Sequence, residues 1–305
     1  MSGFDVNIHS PIKSDLHLHT TASDGLLQPE ALVKLAIKVD LDVIAVTDHD
    51  TVDGVLPALR AARDSASFSV IPGVEISTDL PQNEVHVLGY FVDFERDSFL
   101  LALAELRNSR EVRARKMIKR LDAMNMKIEW EDLMRIVRDS AIGRPHIARA
   151  MLQAGYVQTF QEAFEKYIGK HGPAYVEHKK MKPAEVVRFI GDNDGIPVLA
   201  HPDNIIGLEP LIVELKGAGL VGLEIYYDGY SDETRQRLLG LGRKYGLLPT
   251  GGTDYHGFHD KAETMIGDSS VPAESVVSLY SIAQQTSGPL LKKHKLALPG
   301  CNNRT

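Results

Sequence analysis

His17 and His19 stand two residues apart in DLHLHTTASDG, a spacing that puts both rings on one face of a β-strand. Asp24 follows in the next loop. Asp48 and His49 fall in TDHD, Glu75 in PGVEIS, His86 in EVHVLGY, His201 in VLAHP, and Asp254 and His256 in GTDYHG. Six of the 12 histidines belong to this set, each in or beside an apolar, strand-like run. Taken singly, each pattern has an ordinary reading. His-x-His is also a surface or core pair, TDHD a helix N-cap, His86 a core histidine with one hydrogen bond, and GTDYHG a turn. Taken together, so many carboxylates and rings meeting at strand ends need a strong positive partner. Divalent metal ions are such a partner, and nitrogen and carboxylate donors without thiolate suit Mn, Fe or Zn.

The elements that must position these residues alternate. Strands are expected at KSDLHLHT, LDVIAVTDHD, FSVIPGVEIS, EVHVLGYFVD, IPVLAHP, GLEIYYD and LLPTGGTD. Helices are expected at Pro29–Val39, Asp53–Ala66, Pro183–Asp192, Leu208–Lys216, Asp232–Tyr245 and Ala273–Gln285. Continuous apolar strands alternating with helices argue a parallel sheet with helices outside. In a parallel α/β barrel the strand C-termini converge on one face, where active sites are built. Residues 97–178 lose this rhythm. One long helical pattern, Ser98–Asn125, is followed by Trp130–Asp139, Arg144–Ala154 and Phe160–Tyr167. They read as an all-helical insertion between two barrel parts, 10–96 and 179–285, with a loose polar tail over 286–305.

Composition sets the bounds. The 305 residues are 43% hydrophobic and 25% charged, a globular balance that excludes a disordered chain. A net charge of -7 excludes a general polyanion binder, so a phosphate-bearing substrate must be attracted locally. The only cysteine, Cys301, excludes a disulfide framework or a cysteine-zinc site and fits a reducing cytoplasm. The opening MSGFDVNIHSPIKSD has no apolar core of a signal peptide, and no run of about 18 apolar residues suggests a membrane span.

With these motifs in this order, the chain resembles the PHP (polymerase and histidinol phosphatase) family of metal-dependent phosphoesterases, from about Ser14 to Ser269. The resemblance implies an α/β fold: a distorted seven-stranded, TIM-like β/α barrel carrying two to three divalent ions. Mn²⁺ is the first expectation, with Zn²⁺ or Fe²⁺ as alternatives. By motif, His17, His19, Glu75 and Asp254 would hold one ion. Glu75 would bridge to a second ion completed by His86 and His201, and Asp24, His49 and His256 would hold a third. Asp48 would orient an adjacent ligand. Some members carry His where Asp24 stands.

A subset of the family looks closer still: phosphatases of nucleoside 3′,5′-bisphosphates, including members that trim short RNAs from the 5′ end. They share the Asp at position 24 and a GRPH segment in the insertion, here Gly143 to His146. A guanidinium at a helix start suits a phosphate. Arg144 and His146 are therefore expected substrate contacts, and Lys170 in YIGKHGPAYV a further one. The ordinary reading of GRPH is a Gly-Arg turn with Pro at the first helical position. From Glu105 to Lys127 the long helix has eight Lys/Arg and three Asp/Glu. This is either a solvated face with ion pairs or a wall that steers anions, with Arg110 and Arg113 the expected contacts.

The expected reaction is hydrolysis of a nucleotide phosphate monoester such as pAp or AMP, or of a short 5′-phosphorylated oligonucleotide. A hydroxide generated between the metals would attack phosphorus. Glu75, Asp48 and Arg144 are the expected catalytic residues. The competing expectations are a histidinol-phosphate or other small-molecule phosphatase, an amidohydrolase-type C–N hydrolase, and a non-catalytic module. No membrane and no stable protein partner are expected.

Overall fold

The computed structural model describes residues 12–80, 84–137, 142–177, 181–257 and 265–299. Seven strands form one sheet in sequential order: β1 (Ser14–Leu18), β2 (Val43–Val46), β3 (Ser69–Asp79), β4 (Glu84–Tyr90), β5 (Ile196–Leu199), β6 (Gly222–Tyr227) and β7 (Leu248–Gly252). The helices are α1 (Pro29–Lys38), α2 (Val55–Ala62), α3 (Asp97–Asp122), α4 (Trp130–Val137), α5 (Arg144–Gln153), α6 (Phe160–Ala163), α7 (Pro183–Asp192), α8 (Leu208–Ala218), α9 (Asp232–Tyr245), α10 (Ala273–Thr286) and α11 (Gly288–His294).

The sheet is not parallel throughout, contrary to expectation. β4 runs antiparallel to both β3 and β5. The connection over residues 80–83 is too short for a crossover, which takes a dozen residues or more. The reversal has a useful result. His86 lies near the start of β4 and pairs in register with Ser77 near the end of β3. It therefore joins the end of the barrel where the parallel strands finish.

The barrel nearly closes between β1 and β7, where an isolated bridge joins Leu18 to Tyr255 just beyond β7. The His19 N–H donates to the Tyr255 carbonyl (3.0 Å). Asp15, fully buried, stitches the seam. Its Oδ1 accepts from the Thr253 N–H (3.0 Å), and its Oδ2 accepts from Thr253 Oγ1 (2.7 Å) and the Gly267 N–H (2.9 Å). Gly252 makes the close approach possible, since a Cβ there would lie 2.4 Å from the Cβ of His17.

Two apolar cores are joined by one helix. Phe99, Leu103 and Leu106 of α3 pack into the barrel core. Ala114, Met117 and Leu121 of the same helix pack with Leu133, Ile147 and Met151 in the insertion core. The spacing is one helical stripe. Arg110 and Arg113 occupy that stripe where the two cores part. α3 therefore contributes its first half to one core and its second half to the other. The pattern expected as one helix over Phe160–Tyr167 divides into α6 and a π-helical turn at Phe164–Ile168, closed by the Gly169 N–H on the Phe164 carbonyl (2.9 Å).

The expected loose tail needs correction over its described part. α11 forms there, and Leu290, Leu291, Leu296 and Leu298 are buried in the barrel core. These leucines flank the basic run over residues 292–295, which masked the apolar face. Cys301 lies outside the described residues. Among the described residues no helix is long and apolar enough to cross a membrane.

Candidate metal centre

β1 delivers His17 and His19 to one face, as their spacing requires. His17 Nε2 lies 3.2 Å from Glu75 Oε2 and 3.3 Å from Asp254 Oδ1. His19 Nε2 lies 3.2 and 3.0 Å from the same two oxygens. All four atoms are buried, and none makes a hydrogen bond. Ligand atoms bound at about 2.0–2.2 Å around one ion are separated by about 3.0–3.5 Å. The donor set therefore fits a divalent cation. The field has the matching sign. Burial pushes the His19 ring down, but the Asp254 and Glu75 carboxylates outweigh it and hold the ring up at about 10. Burial pushes Asp254 up, and the surrounding imidazoles overcome that and hold its carboxyl far below the usual range.

The second carboxylate oxygen of Glu75 faces another pair. Glu75 Oε1 lies 2.8 Å from His86 Nδ1 and 3.1 Å from His201 Nε2, and these nitrogens are 3.2 Å apart. A third group surrounds Asp24, with His256 Nε2 at 3.4 Å, His19 Nδ1 at 3.8 Å and His49 Nε2 at 3.9 Å. His49 Nδ1 in turn lies 3.2 Å from Glu75 Oε2. Burial outweighs the neighbouring Glu75 and Asp24 carboxylates and holds the His49 ring down at about 3. Three groups of possible ligands thus share Glu75, His19 and His49. His201 (φ 26°) and Asp254 (φ 55°) adopt left-handed backbone, a strain that functional sites commonly carry.

Support for these groups comes from Glu224 and Tyr227, which the sequence reading did not single out, and from Asp48, which it did. Glu224 of β6 is fully buried. Its Oε1 lies 3.1 Å from His17 Nδ1, and its Oε2 accepts from the His201 N–H (2.7 Å). Tyr227 donates its hydroxyl to Asp254 Oδ2 (3.1 Å). The one signal in the sequence was an acid inside the apolar run LEIYY. Asp48 accepts from the Thr20 N–H (2.7 Å), Ser23 Oγ (2.7 Å) and Thr20 Oγ1 (2.8 Å). It fastens the loop that carries Asp24, and burial pushes its carboxyl up.

The insertion residues divide. Arg144 is half-buried at the start of α5, its guanidinium 5.6 Å from the ring centre of Phe164 and 5.9 Å from that of Tyr175. With Arg110 and Arg113 it lines a small gap. Arg113, also expected at the substrate, packs into the seam between the two cores. It is buried, and its Nε donates to the Val176 carbonyl (2.8 Å). His146 is 2% exposed and caps its own helix, Nδ1 accepting from the Gly143 N–H (3.0 Å). Burial holds that ring down at about 4. Lys170 donates to the Leu80 carbonyl beyond β3 (2.7 Å). Arg110 bonds to Asp50 and to Ser77 Oγ. Arg149, which the sequence reading missed, donates to the Asp24 carbonyl (3.1 Å). It lines a cleft of about 800 Å³ between the Thr21–Gln28 loop and helices α4 and α5.

Comparison with known proteins follows the same lines. The profile of the PHP domain matches residues 15–169. The 5′-3′ exoribonuclease Rnm of Salmonella typhimurium is 32% identical over 248 residues, covering 79% of this chain and 84% of that protein. The 3′,5′-nucleoside bisphosphate phosphatase of Chromobacterium violaceum is 30% identical over 247 residues, covering 79% and 86%. A solved structure from Bifidobacterium adolescentis, assigned as a metal-dependent phosphoesterase, superimposes with a TM-score of 0.81 at 30% identity, over 90% of this chain and 98% of that one.

Proposed function

The chain belongs to the PHP domain family and is a metal-dependent phosphoesterase, and from that premise we propose that it hydrolyses nucleoside 3′,5′-bisphosphates such as pAp and 5′-phosphorylated short RNAs. The observation that carries the reading is the set of four buried, unbonded donor atoms of His17, His19, Glu75 and Asp254. In this reading those residues hold one ion, Glu75 with His86 and His201 a second, and Asp24 with His49 and His256 a third. All donors are nitrogen or oxygen, which favours Mn²⁺ over a thiophilic ion. When bound, such ions neutralise phosphoryl oxygens and lower the pKa of water toward about 7.

The chain's own groups do the rest. Glu224 holds the His17 ring by Nδ1 and so aims Nε2 at the cluster. Asp48 fixes the Thr20–Asp24 loop. Arg144 offers a planar, permanently charged fork to a phosphate outside the ion cluster. A substrate with two phosphates fits one cluster plus one such fork. The relatives named as exoribonuclease and bisphosphate phosphatase support the same class. A nucleotide substrate argues for a cytoplasmic enzyme.

The test is a phosphate-release panel with Mn²⁺: pAp, AMP, histidinol phosphate and a 5′-phosphorylated dinucleotide. The expected order puts pAp and the dinucleotide first. Preference for histidinol phosphate would overturn the nucleotide reading and leave the phosphoesterase chemistry standing.

A further inference from the structure

Arg110 was expected at the substrate, yet its bonds point into the scaffold of the cluster. From the shared helix α3, its Nε donates to Asp50 Oδ2 and its Nη2 to Ser77 Oγ (2.8 Å). Asp50 is 1% exposed and follows His49 directly. Its Oδ1 accepts from the Ser77 N–H (3.1 Å), and its own N–H donates to the Glu75 carbonyl (2.9 Å). Ser77 Oγ lies 3.4 Å from His49 Nδ1. The backbone of Asp50 is left-handed, with φ 51°. Such a conformation at a non-glycine residue persists only when its surroundings impose it. One helical turn earlier, Arg107 Nη1 donates to Thr51 Oγ1 (3.0 Å). Two arginines of α3 thus grip the segment that follows His49, and one of them also reaches β3, the strand that carries Glu75.

We propose that the Arg110–Asp50 pair is a positioning device: it holds His49 and Glu75 in their metal-binding arrangement and makes metal retention depend on the seating of α3. A surface ion pair would do little here, but this one is buried at the seam between two cores. Residues that orient metal ligands typically change metal affinity ten- to a hundredfold when removed. The inference rests on the reading that His49 and Glu75 hold metal.

The experiment uses the Mn²⁺-loaded protein. Metal content is measured, then the rate of Mn²⁺ loss to a chelator, for the wild type, Arg110→Ala, Arg110→Lys, Asp50→Asn and the double variant Arg110→Ala/Asp50→Asn. Melting curves of the metal-free proteins and KM and kcat for pAp are recorded alongside. Arg110→Ala and Asp50→Asn are each expected to weaken Mn²⁺ binding about ten- to a hundredfold, with the double variant no worse than either single one. Arg110→Lys should recover part of the loss. If Arg110→Ala does not fold, Arg110→Lys and Asp50→Asn carry the same comparison.

Unchanged Mn²⁺ retention in folded variants overturns the proposal. A raised KM for pAp with metals intact also overturns it, and returns Arg110 to substrate binding. A lowered melting temperature with normal metal retention would reduce the pair to a structural tie, and so overturns it too. A wild type that binds no metal would instead refute the metal-centre reading beneath it.

Discussion

Glu224 Oε1 stands 3.1 Å from His17 Nδ1, and that contact makes the other ring nitrogen of His17 the one that meets Glu75 and Asp254. The same carboxylate holds the His201 N–H through Oε2, so one buried acid sets two members of the cluster. Removing it should release both. Glu224→Gln is expected to weaken metal binding by about ten- to a hundredfold, with turnover falling in parallel. A metal titration that matches wild type would remove Glu224 from this role.

Glu75 touches the largest share of the donors, with Oε2 near His17, His19 and His49 and Oε1 near His86 and His201. Glu75→Ala should therefore deplete more than one ion and lower turnover by orders of magnitude with the fold kept. Elemental analysis and circular dichroism of the purified variant check both halves.

Asp24 lies in a loop and faces His256, His19 and His49 at 3.4 to 3.9 Å. Asp24→Ala is expected to cost one metal equivalent and most of the activity. A variant that keeps three equivalents would make Asp24 a loop residue only.

Arg144 separates a bisphosphate enzyme from a general phosphatase. If it grips the retained phosphate, Arg144→Ala should lower kcat/KM for pAp roughly ten- to a hundredfold, about 1.5–3 kcal/mol, and spare AMP. Arg144→Lys should recover only part, because an ammonium cannot make the paired contact. An equal loss on both substrates would place Arg144 on the phosphate being cleaved.

His146 predicts a pH effect on stability. Burial holds its folded pKa at about 4, below its ordinary value of 6.5. Between those values the unfolded chain takes up the proton and the folded chain does not, so stability present above about pH 6.5 is lost as pH falls toward about 4. The loss is on the order of 3 kcal/mol. His146→Asn should flatten the melting temperature against pH in that window. Parallel curves for the two proteins would show that His146 titrates normally.

Several parts of this architecture were legible in residues alone. α7 and α9 begin and end where the sequence puts them. Pro183 opens the first, while Ser231 caps the second and the left-handed Gly246 stops it. That His17, His19, His49, Glu75, His201, Asp254 and His256 would meet was legible because the ends of a barrel's strands converge on one face, with Asp24 in the loop after β1 and His86 brought there by the reversed β4. Glu224 was not, because its partner lies 207 residues away and only the curl of the folded sheet sets β6 across from β1. The direction of β4 depended on a four-residue connection rather than on any residue within the strand. Arg110 and Arg113 were expected at a substrate because composition does not reveal that two cores meet between them.

The seam that Asp15 makes with Thr253 spans 238 residues of chain. On a ribosome adding about 5–20 residues per second, the two sides of that seam emerge on the order of ten to fifty seconds apart. His17 and His19 are thus made early and must wait for Asp254. Glu75 and His86 come out early as well and await His201. A nascent chain of this protein can gather histidines and carboxylates, but the group of His17, His19, Glu75 and Asp254 comes together only once β7 and the residues after it have been made. Any ion taken up by that group must therefore wait for the later side of the seam, and a product cut short before Asp254 would leave the ribosome without it.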